Sequence, residues 1–258
     1  MSARIDLSIE AGLATVTLHN PDKLNAINLH MWQALEHALQ TLSRRDDVRC
    51  VQIRGTGQHF AAGGDIEEFR HLRTTLEQAL AYHEQVARAL ESIFNCPHPT
   101  VAIIRGACIG GGLEIAAQCD IRLCDNTARF GAPINKLGFS MYPGEMAGLL
   151  RLAGPALVSE ILLEGRILDA QEAARKGLVS RVVDTALLEQ EATACTQRIM
   201  AGAPQVATWH KQSIRRLMHD QALTDAEKMA AFAFLDTQDY QEGLNAFLEK
   251  RPPRFTGH

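Results

Sequence analysis

Three consecutive glycines that lead into a helix are the residues of this chain best suited to chemistry. The segment IRGACIGGGLEIAAQCD (104–120) places them directly before an apolar helical stretch. Glycine lets the backbone approach a ligand closely, and free N–H groups at a helix start carry partial positive charge. The segment is therefore suited either to hold a phosphate or a developing oxyanion, or to pack a strand tightly against a helix.

A second glycine-rich loop, HFAAGGDIEEF (59–69), precedes a polar helix with Asp65 as its expected N-cap. Two such loops after apolar strands favour a ligand site, because ligands of α/β proteins bind at strand ends. Glu114 lies in the first turn of the helix after the triple glycine, among apolar neighbours. Burial would raise the pKa of this carboxyl and the helix N-terminus would lower it, so residue types alone leave open a catalytic or a dipole-stabilising role.

Sequence signatures of several other chemistries are missing. The chain has no G-x-x-x-x-G-K-[ST] phosphate loop, no complete G-x-G-x-x-G and no G-x-S-x-G nucleophile elbow. None of the ten histidines forms an H-E-x-x-H pattern, so we predict no bound metal. None of the six cysteines forms a C-x-x-C pair, and we expect reduced, mostly buried thiols.

Length and composition predict one large globular unit. The chain has 258 residues, of which 46% are hydrophobic, and a net charge of −4. A weakly acidic chain of this kind is not typical of proteins that bind nucleic acid. The N-terminal stretch lacks the apolar core of a signal peptide, and no run approaches 18 uninterrupted apolar residues. We therefore expect a cytoplasmic protein without a membrane partner.

Hydrophobic periodicity predicts an α/β core followed by a helical region. Alternation predicts a β-hairpin of strands 4–9 and 13–18 around Ala11 and Gly12. The other predicted strands are 48–55, 100–106, 121–124, 128–131 and 178–184. The predicted helices are 29–42, 75–95, 113–119, 145–153, 155–164, 185–201, 204–218, 224–238 and 239–250.

The sequence resembles the crotonase (enoyl-CoA hydratase/isomerase) superfamily along nearly its full length. The motifs that carry the resemblance are HNPDKLNAIN (19–28), FAAGGDI (60–66), GACIGGGLEIAAQCD (106–120), FGAPINKLG (130–138), LLEGRILDAQEAARKGLVSRVV (162–183) and AFLEKRPPRF (246–255). The resemblance implies an α/β spiral of repeated ββα units over residues 1–200, related to the ClpP fold, and a C-terminal helical trimerisation region over 201–258. It also implies an acyl-CoA substrate, no separate cofactor, and a homotrimer or homohexamer.

The resemblance also assigns roles to individual residues. Ala62 and Gly111 match the two backbone N–H donors of an oxyanion hole that binds the thioester carbonyl. Glu114 matches the first of two glutamates that activate water in the hydratases, so with the resemblance in view we predict that it is catalytic. Phe247 and Lys250 match positions that cover CoA bound to a neighbouring subunit. The remaining positions implied for CoA or acyl binding are Lys23, Ala26, Gly64, Asp65, Ile66, Gly110, Pro133 and Ile134.

One position departs from the hydratase pattern. Ile134 stands where hydratases carry their second glutamate, and an isoleucine cannot transfer a proton. Loss of a general acid or base costs roughly 10²–10⁴-fold in rate. The loop FSMYPGE (139–145) is about two residues longer than its hydratase counterpart, and we expect Glu145 or Tyr142 to project from it into the site. The alternative is that Glu145 only starts a helix and that Tyr142 only packs.

We consider four functions for these residues. Hydration of a 2-enoyl-CoA is the leading hypothesis, with Glu145 or a chain of waters replacing the missing acid. Decarboxylation of a malonyl-type CoA or double-bond isomerisation needs only one carboxylate and an oxyanion hole. A non-catalytic acyl-CoA binder would also retain the two loops. A Clp-type serine protease is excluded, because residues 106–116 contain no serine.

Overall fold

The computed structural model describes residues 2–258, and within that range the chain forms nine strands. They are β1 (Arg4–Glu10), β2 (Leu13–His19), β3 (Cys50–Gly55), β4 (Thr100–Ile104), β5 (Ala107–Ile109), β6 (Ile121–Asp125), β7 (Arg129–Gly131), β8 (Ile167–Asp169) and β9 (Arg181–Val183). Six of them form one sheet in the order β1-β2-β3-β4-β6-β9, parallel throughout except for the antiparallel first pair. A smaller sheet has the order β5-β7-β8.

Ten α-helices alternate with the strands and then continue alone to the C-terminus. They are α1 (Leu29–Leu42), α2 (Ile66–Leu72), α3 (Leu76–Asn95), α4 (Gly111–Gln118), α5 (Pro143–Ser159), α6 (Ala170–Arg175), α7 (Leu188–Met200), α8 (Pro204–Leu217), α9 (Asp225–Ala230) and α10 (Gln238–Leu248). This arrangement confirms the predicted α/β core. The division at residue 200 stays a prediction.

Local sequence explains the elements that were predicted. The hairpin turn uses Ala11 and Gly12, both with positive φ (48° and 86°), as a two-residue turn between twisted strands requires. Helix α1 begins after Asn28, whose side chain accepts a hydrogen bond from the Met31 N–H, and Trp32 lies on its buried face. All six cysteines are free and buried, as expected.

The prediction was wrong in three places. The turn expected at 107–112 contains strand β5, and strand β8 and helix α6 were not predicted at all. The single helix expected over 224–238 is interrupted, because α9 ends at Ala230 and a 3-10 turn follows at Ala233–Asp236. By contrast, the break predicted between 153 and 155 is present, since Gly154 has φ 69° and ψ 168°.

The stretch Pro143–Leu163 is long and apolar enough to span a membrane by length and composition alone. A core helix of a globular protein passes the same test, and this stretch is broken at Gly154. Its first turn carries the buried Glu145. The absence of a membrane partner stays a prediction.

The C-terminal helices are attached to the core by polar contacts. Lys211 on α8 donates to the His98 carbonyl (2.8 Å) and pairs with Asp120 (2.6 Å). Arg49 donates to the Phe255 carbonyl (2.5 Å). The outer faces of this region expose large apolar side chains, namely Ile214, Leu217, Met218, Met229, Phe232 and Leu235.

Candidate active site

A cavity of about 240 Å³ lies where the two glycine loops meet α3 and the start of α5. It gathers residues that are distant in sequence, as expected at the ends of parallel strands. The sequence-predicted residues that line it are Ala62, Gly64, Ile66, Gly110, Gly111, Glu114, Pro133, Ile134 and Glu145.

The two glycine loops touch backbone to backbone, which explains their small residues. Gly110 has φ 49°, and a Cβ on it would lie 3.6 Å from the Gly63 Cα. A Cβ on Gly112 would lie 2.4 Å from the Ala61 carbonyl oxygen, too close for any side chain. The triple glycine therefore serves tight packing and also brings free backbone N–H groups to the cavity.

The N–H of Ala62 is already used. It donates to the Leu24 carbonyl at 3.1 Å, so it is not free to bind a substrate oxygen in this structure. The N–H of Gly111 has no acceptor within its helix, because Gly111 is the first residue of α4. Of the two donors expected from the sequence, only Gly111 has the required freedom.

The N–H of Gly64 is a free donor on the other loop. Gly63 accepts from the Ile27 N–H (2.8 Å) and Asp65 donates to the Ile27 carbonyl (2.9 Å), which makes residues 63–65 a short extended segment beside Ile27. Backbone groups alternate in direction along an extended segment, so the Gly64 N–H points away from Ile27. Within residues 2–258 it makes no hydrogen bond.

Two buried glutamates line the same cavity. Glu114 and Glu145 are 6% and 5% exposed. Glu114 is in the first turn of α4 and Glu145 in the first turn of α5, positions that aim both carboxyls at the site. Burial raises the pKa of Glu114 well above its ordinary value, and the nearby carboxyl of Glu145 raises it further, because two carboxylates side by side would repel each other.

His83 on α3 is a functional candidate that the sequence did not reveal. Its Nδ1 lies 2.6 Å from the Glu145 Oε1. Burial raises the pKa of Glu145 to about 8, and burial lowers the pKa of His83 to about 4, so the pair is neutral and its proton stays on the carboxyl. The only available signal was a histidine beside the apolar stripe of a predicted helix.

Tyr142 occupies a different place from the one expected. It lies outside the residues that line the cavity and stacks on the His83 ring, with centroids 5.6 Å apart and planes at 30°. Of the two residues expected to project from the 139–145 loop, Glu145 lines the cavity, whereas Tyr142 packs behind it.

Arg73 is the second residue that sequence reasoning missed. It follows the last residue of α2 and lines the cavity. Its guanidinium carbon lies 4.0 Å from the Phe69 ring centroid and 4.7 Å from that of Phe139. No periodicity or motif in the sequence marks this position.

Five of the positions implied for CoA lie outside the cavity lining. Lys23 pairs with Asp65 and Glu67, each at 2.7 Å, and these hydrogen bonds raise its pKa. Ala26 is buried in the segment that follows Lys23. Phe247 and Lys250 are exposed near the C-terminus. Their roles in CoA binding stay predictions.

Among residues 2–258 no group of three or more His, Cys, Asp or Glu side chains is arranged to hold a metal ion. The polar groups that line the cavity are backbone N–H donors, two carboxyls, an imidazole and a guanidinium.

A family model described as enoyl-CoA hydratase/isomerase matches residues 8–258 of the chain. Among curated proteins, a probable enoyl-CoA hydratase of Mycobacterium tuberculosis is 35% identical over 247 residues, which cover 93% of each protein. A short-chain-enoyl-CoA hydratase of Clostridium acetobutylicum is 32% identical and covers 95% of this chain and 94% of its own.

Solved structures agree in fold. An enoyl-CoA hydratase/carnithine racemase from Magnetospirillum magneticum superimposes with a TM-score of 0.97 at 48% identity, over 100% of this chain and 97% of that one. An enoyl-CoA hydratase from Bacillus anthracis gives a TM-score of 0.90 at 29% identity, over 98% of this chain and 99% of that one.

Proposed function

We propose, from the premise that this chain belongs to the enoyl-CoA hydratase/isomerase family and is an enzyme of that family, that it adds water to a 2-enoyl-CoA. The observation that carries the proposal is that two buried carboxyls, Glu114 and Glu145, line one cavity beside two glycine loops with free N–H groups. Glu145 thus supplies the second acid/base that Ile134 cannot.

The oxyanion hole is assigned to the N–H groups of Gly64 and Gly111. Both residues line the cavity, and neither N–H is used elsewhere, whereas the Ala62 N–H is bonded to Leu24. Donors fixed in this way stabilise the negative charge that develops on the thioester oxygen as the enolate forms. Loss of one such donor typically raises a barrier by ~2.7–4 kcal/mol.

The glutamate pair performs the proton transfers while it carries a single proton. The carboxylate of the pair accepts a proton from water as that water attacks C3, and the carboxylic acid of the pair delivers a proton to C2. Strongly interacting carboxyls lose their protons in steps that belong to the pair, so we assign the proton to the pair and not to one residue. His83 holds Glu145 in place through the 2.6 Å contact.

We also propose that the chain assembles as a trimer or a pair of trimers through its C-terminal helices. Their exposed apolar side chains form the kind of surface that marks a subunit interface. Light scattering at micromolar concentration should give three or six times the mass of one chain. A monomer would contradict the proposal.

The function is tested by incubating the protein with crotonyl-CoA, longer 2- and 3-enoyl-CoAs, and methylmalonyl- and ethylmalonyl-CoA, followed by mass spectrometry. We expect an enoyl substrate to gain the mass of one water. Loss of carbon dioxide from a malonyl-type substrate, without hydration of any enoyl-CoA, would identify a decarboxylase instead. A chromatographic check separates silent isomerisation from the absence of reaction.

A further inference from the structure

Arg73 is half-buried, and its positive charge forms no ion pair with a carboxylate of residues 2–258. Its Nη1 is buried and makes no hydrogen bond, and no Asp or Glu oxygen of residues 2–258 lies within 4 Å of the guanidinium. Placing an unpaired polar group of this kind away from water is unfavourable, so its retention beside the cavity needs an explanation.

The aromatic rings around Arg73 fix the guanidinium but do not satisfy its N–H groups. Phe69, Phe139 and Tyr82 lie with their ring centroids 4.0, 4.7 and 5.9 Å from the guanidinium carbon. A ring face attracts the cation. The N–H fork still lies in the plane of the guanidinium, where its geometry matches the two oxygens of a carboxylate.

The ionisable groups that line the cavity form no ion pair with Arg73, although Glu145 lies close enough for a longer-range attraction. Burial raises the pKa values of Glu114 and Glu145, so the two carboxyls carry no more than the single negative charge that the proposed proton transfers require. Burial also raises the pKa of Tyr82 and lowers that of His83, so neither side chain carries a charge near neutral pH. Arg73 therefore keeps a positive charge in the cavity wall that forms no ion pair within residues 2–258. Its nearest neighbours in the wall are otherwise apolar or aromatic, which strengthens the attraction for an anion.

We propose that the acyl group bound in this cavity carries a carboxylate of its own, which Arg73 binds through its guanidinium. The substrate class is then a CoA monothioester of a dicarboxylic acid. This inference rests on the proposed function, because it places the acyl group of a CoA thioester in the cavity, and it narrows the substrate of that same site.

Equilibrium binding tests the inference without requiring turnover. The probes are saturated pairs of matched chain length: succinyl- against butyryl-CoA, glutaryl- against pentanoyl-CoA, and adipyl- against hexanoyl-CoA. At one of these lengths we expect the carboxylated member to bind roughly tenfold to a hundredfold tighter, the range for hydrogen bonds to a charged group. Equal affinity for both members at every length would overturn the proposal.

Variants then assign the preference to Arg73. Arg73→Met should abolish it while leaving the affinity for the neutral member within about twofold to threefold, and Arg73→Lys, which keeps the charge but not the fork, should retain part of it. Arg44→Met is the matched control, since Arg44 is an exposed arginine just after the C-terminal end of α1 and does not line the cavity. If Arg73→Met weakens both members equally, Arg73 binds a group common to all CoA thioesters and the proposal is wrong.

Turnover separates this inference from the proposed function. If the carboxylated probes bind more tightly but no 2-enoyl-CoA is hydrated, the inference is supported and the proposed hydratase function is wrong. If neutral and carboxylated enoyl-CoAs are hydrated at equal kcat/KM and bind equally well, the inference is wrong and the proposed hydratase function stands. Failure of every acyl-CoA to bind would remove both.

Discussion

Replacing Glu114 by Gln should reduce hydration of a 2-enoyl-CoA by roughly 10²–10⁴-fold, the usual loss on removal of a general acid or base. The side chain is buried and its pKa is raised well above the ordinary value, so the amide closely matches the protonated carboxyl in shape and charge. The cavity should therefore keep its structure. What the amide cannot do is exchange a proton with water or with C2.

The same variant tests the oxyanion hole separately from the proton transfers. The N–H groups of Gly64 and Gly111 remain in place in Glu114→Gln, so acyl-CoA should bind with an affinity close to that of the wild type. The bound thioester carbonyl should also keep the lowered stretching frequency that hydrogen bonding to the two donors produces. Infrared difference spectra of a carbonyl-labelled acyl-CoA measure this directly.

Glu77→Gln is the control for this experiment. Glu77 also lies in the first turn of a helix, α3, but it is exposed. The Glu77→Gln variant should keep wild-type turnover and affinity, because a first-turn carboxylate at an exposed site only interacts with the helix dipole. Turnover in Glu114→Gln equal to that of the wild type would show that Glu114 is a dipole-stabilising residue as well, and the catalytic assignment would be wrong.

The parts of the fold that sequence predicted are those whose pattern is local. Hairpin β1–β2 and helices α1 and α3 follow from alternation, from a 3.6-residue stripe and from turn or capping residues within a few positions. Strands β5 and β8 have three residues each and exist because both pair with β7. Such short strands have too few residues for a period to be visible, and their partners are distant in sequence.

In the candidate site, too, local features were predicted from the sequence and features that depend on distant contacts were not. The glycine loops and Glu114 were found because glycines before a helix and an acidic first-turn residue are local features. The freedom of the Gly64 N–H depends on the contact with Ile27, 37 positions away, which no local pattern encodes. Arg73 and His83 became candidates only once tertiary packing placed them against Phe139 and Glu145.

Replacing Glu145 by Gln should have two opposite effects, a loss of turnover of roughly 10²–10⁴-fold and a gain in stability. The first follows if Glu145 is the second acid/base, since Ile134 offers no substitute. The second follows from the burial that raises the pKa of Glu145 to about 8 from its ordinary 4.5. Replacement of a buried ionisable active-site residue by a neutral one commonly stabilises a protein while it removes activity.

The sign of the stability effect depends on pH. Between about pH 4.5 and 8 the unfolded chain gives up the Glu145 proton while the folded chain keeps it, so rising pH favours unfolding of the wild type over this window. Glutamine does not titrate. The variant should match the wild type in this contribution below pH 4.5, gain progressively above it, and reach a constant advantage above pH 8.

Chemical denaturation at a series of pH values measures the effect. A one-unit difference in pKa is worth about 1.4 kcal/mol, so we expect the variant to unfold with a free energy roughly 2–4 kcal/mol higher than the wild type at pH 8. Glu164→Gln is the control, because Glu164 is exposed near the end of the same helical stretch. It should show no pH-dependent gain.

The two readouts of Glu145→Gln constrain each other. The geometry holds the carboxyl 2.6 Å from a neutral His83 in a buried setting, and glutamine can keep that contact by donating an amide N–H to Nδ1. A stability difference that stays flat from pH 4 to 9 would mean that Glu145 ionises in the folded protein as it does in water, and the neutral pair would be wrong. Stability that rises as expected while turnover is unchanged would mean that the carboxyl is buried for packing, and a water chain would then have to supply the second proton.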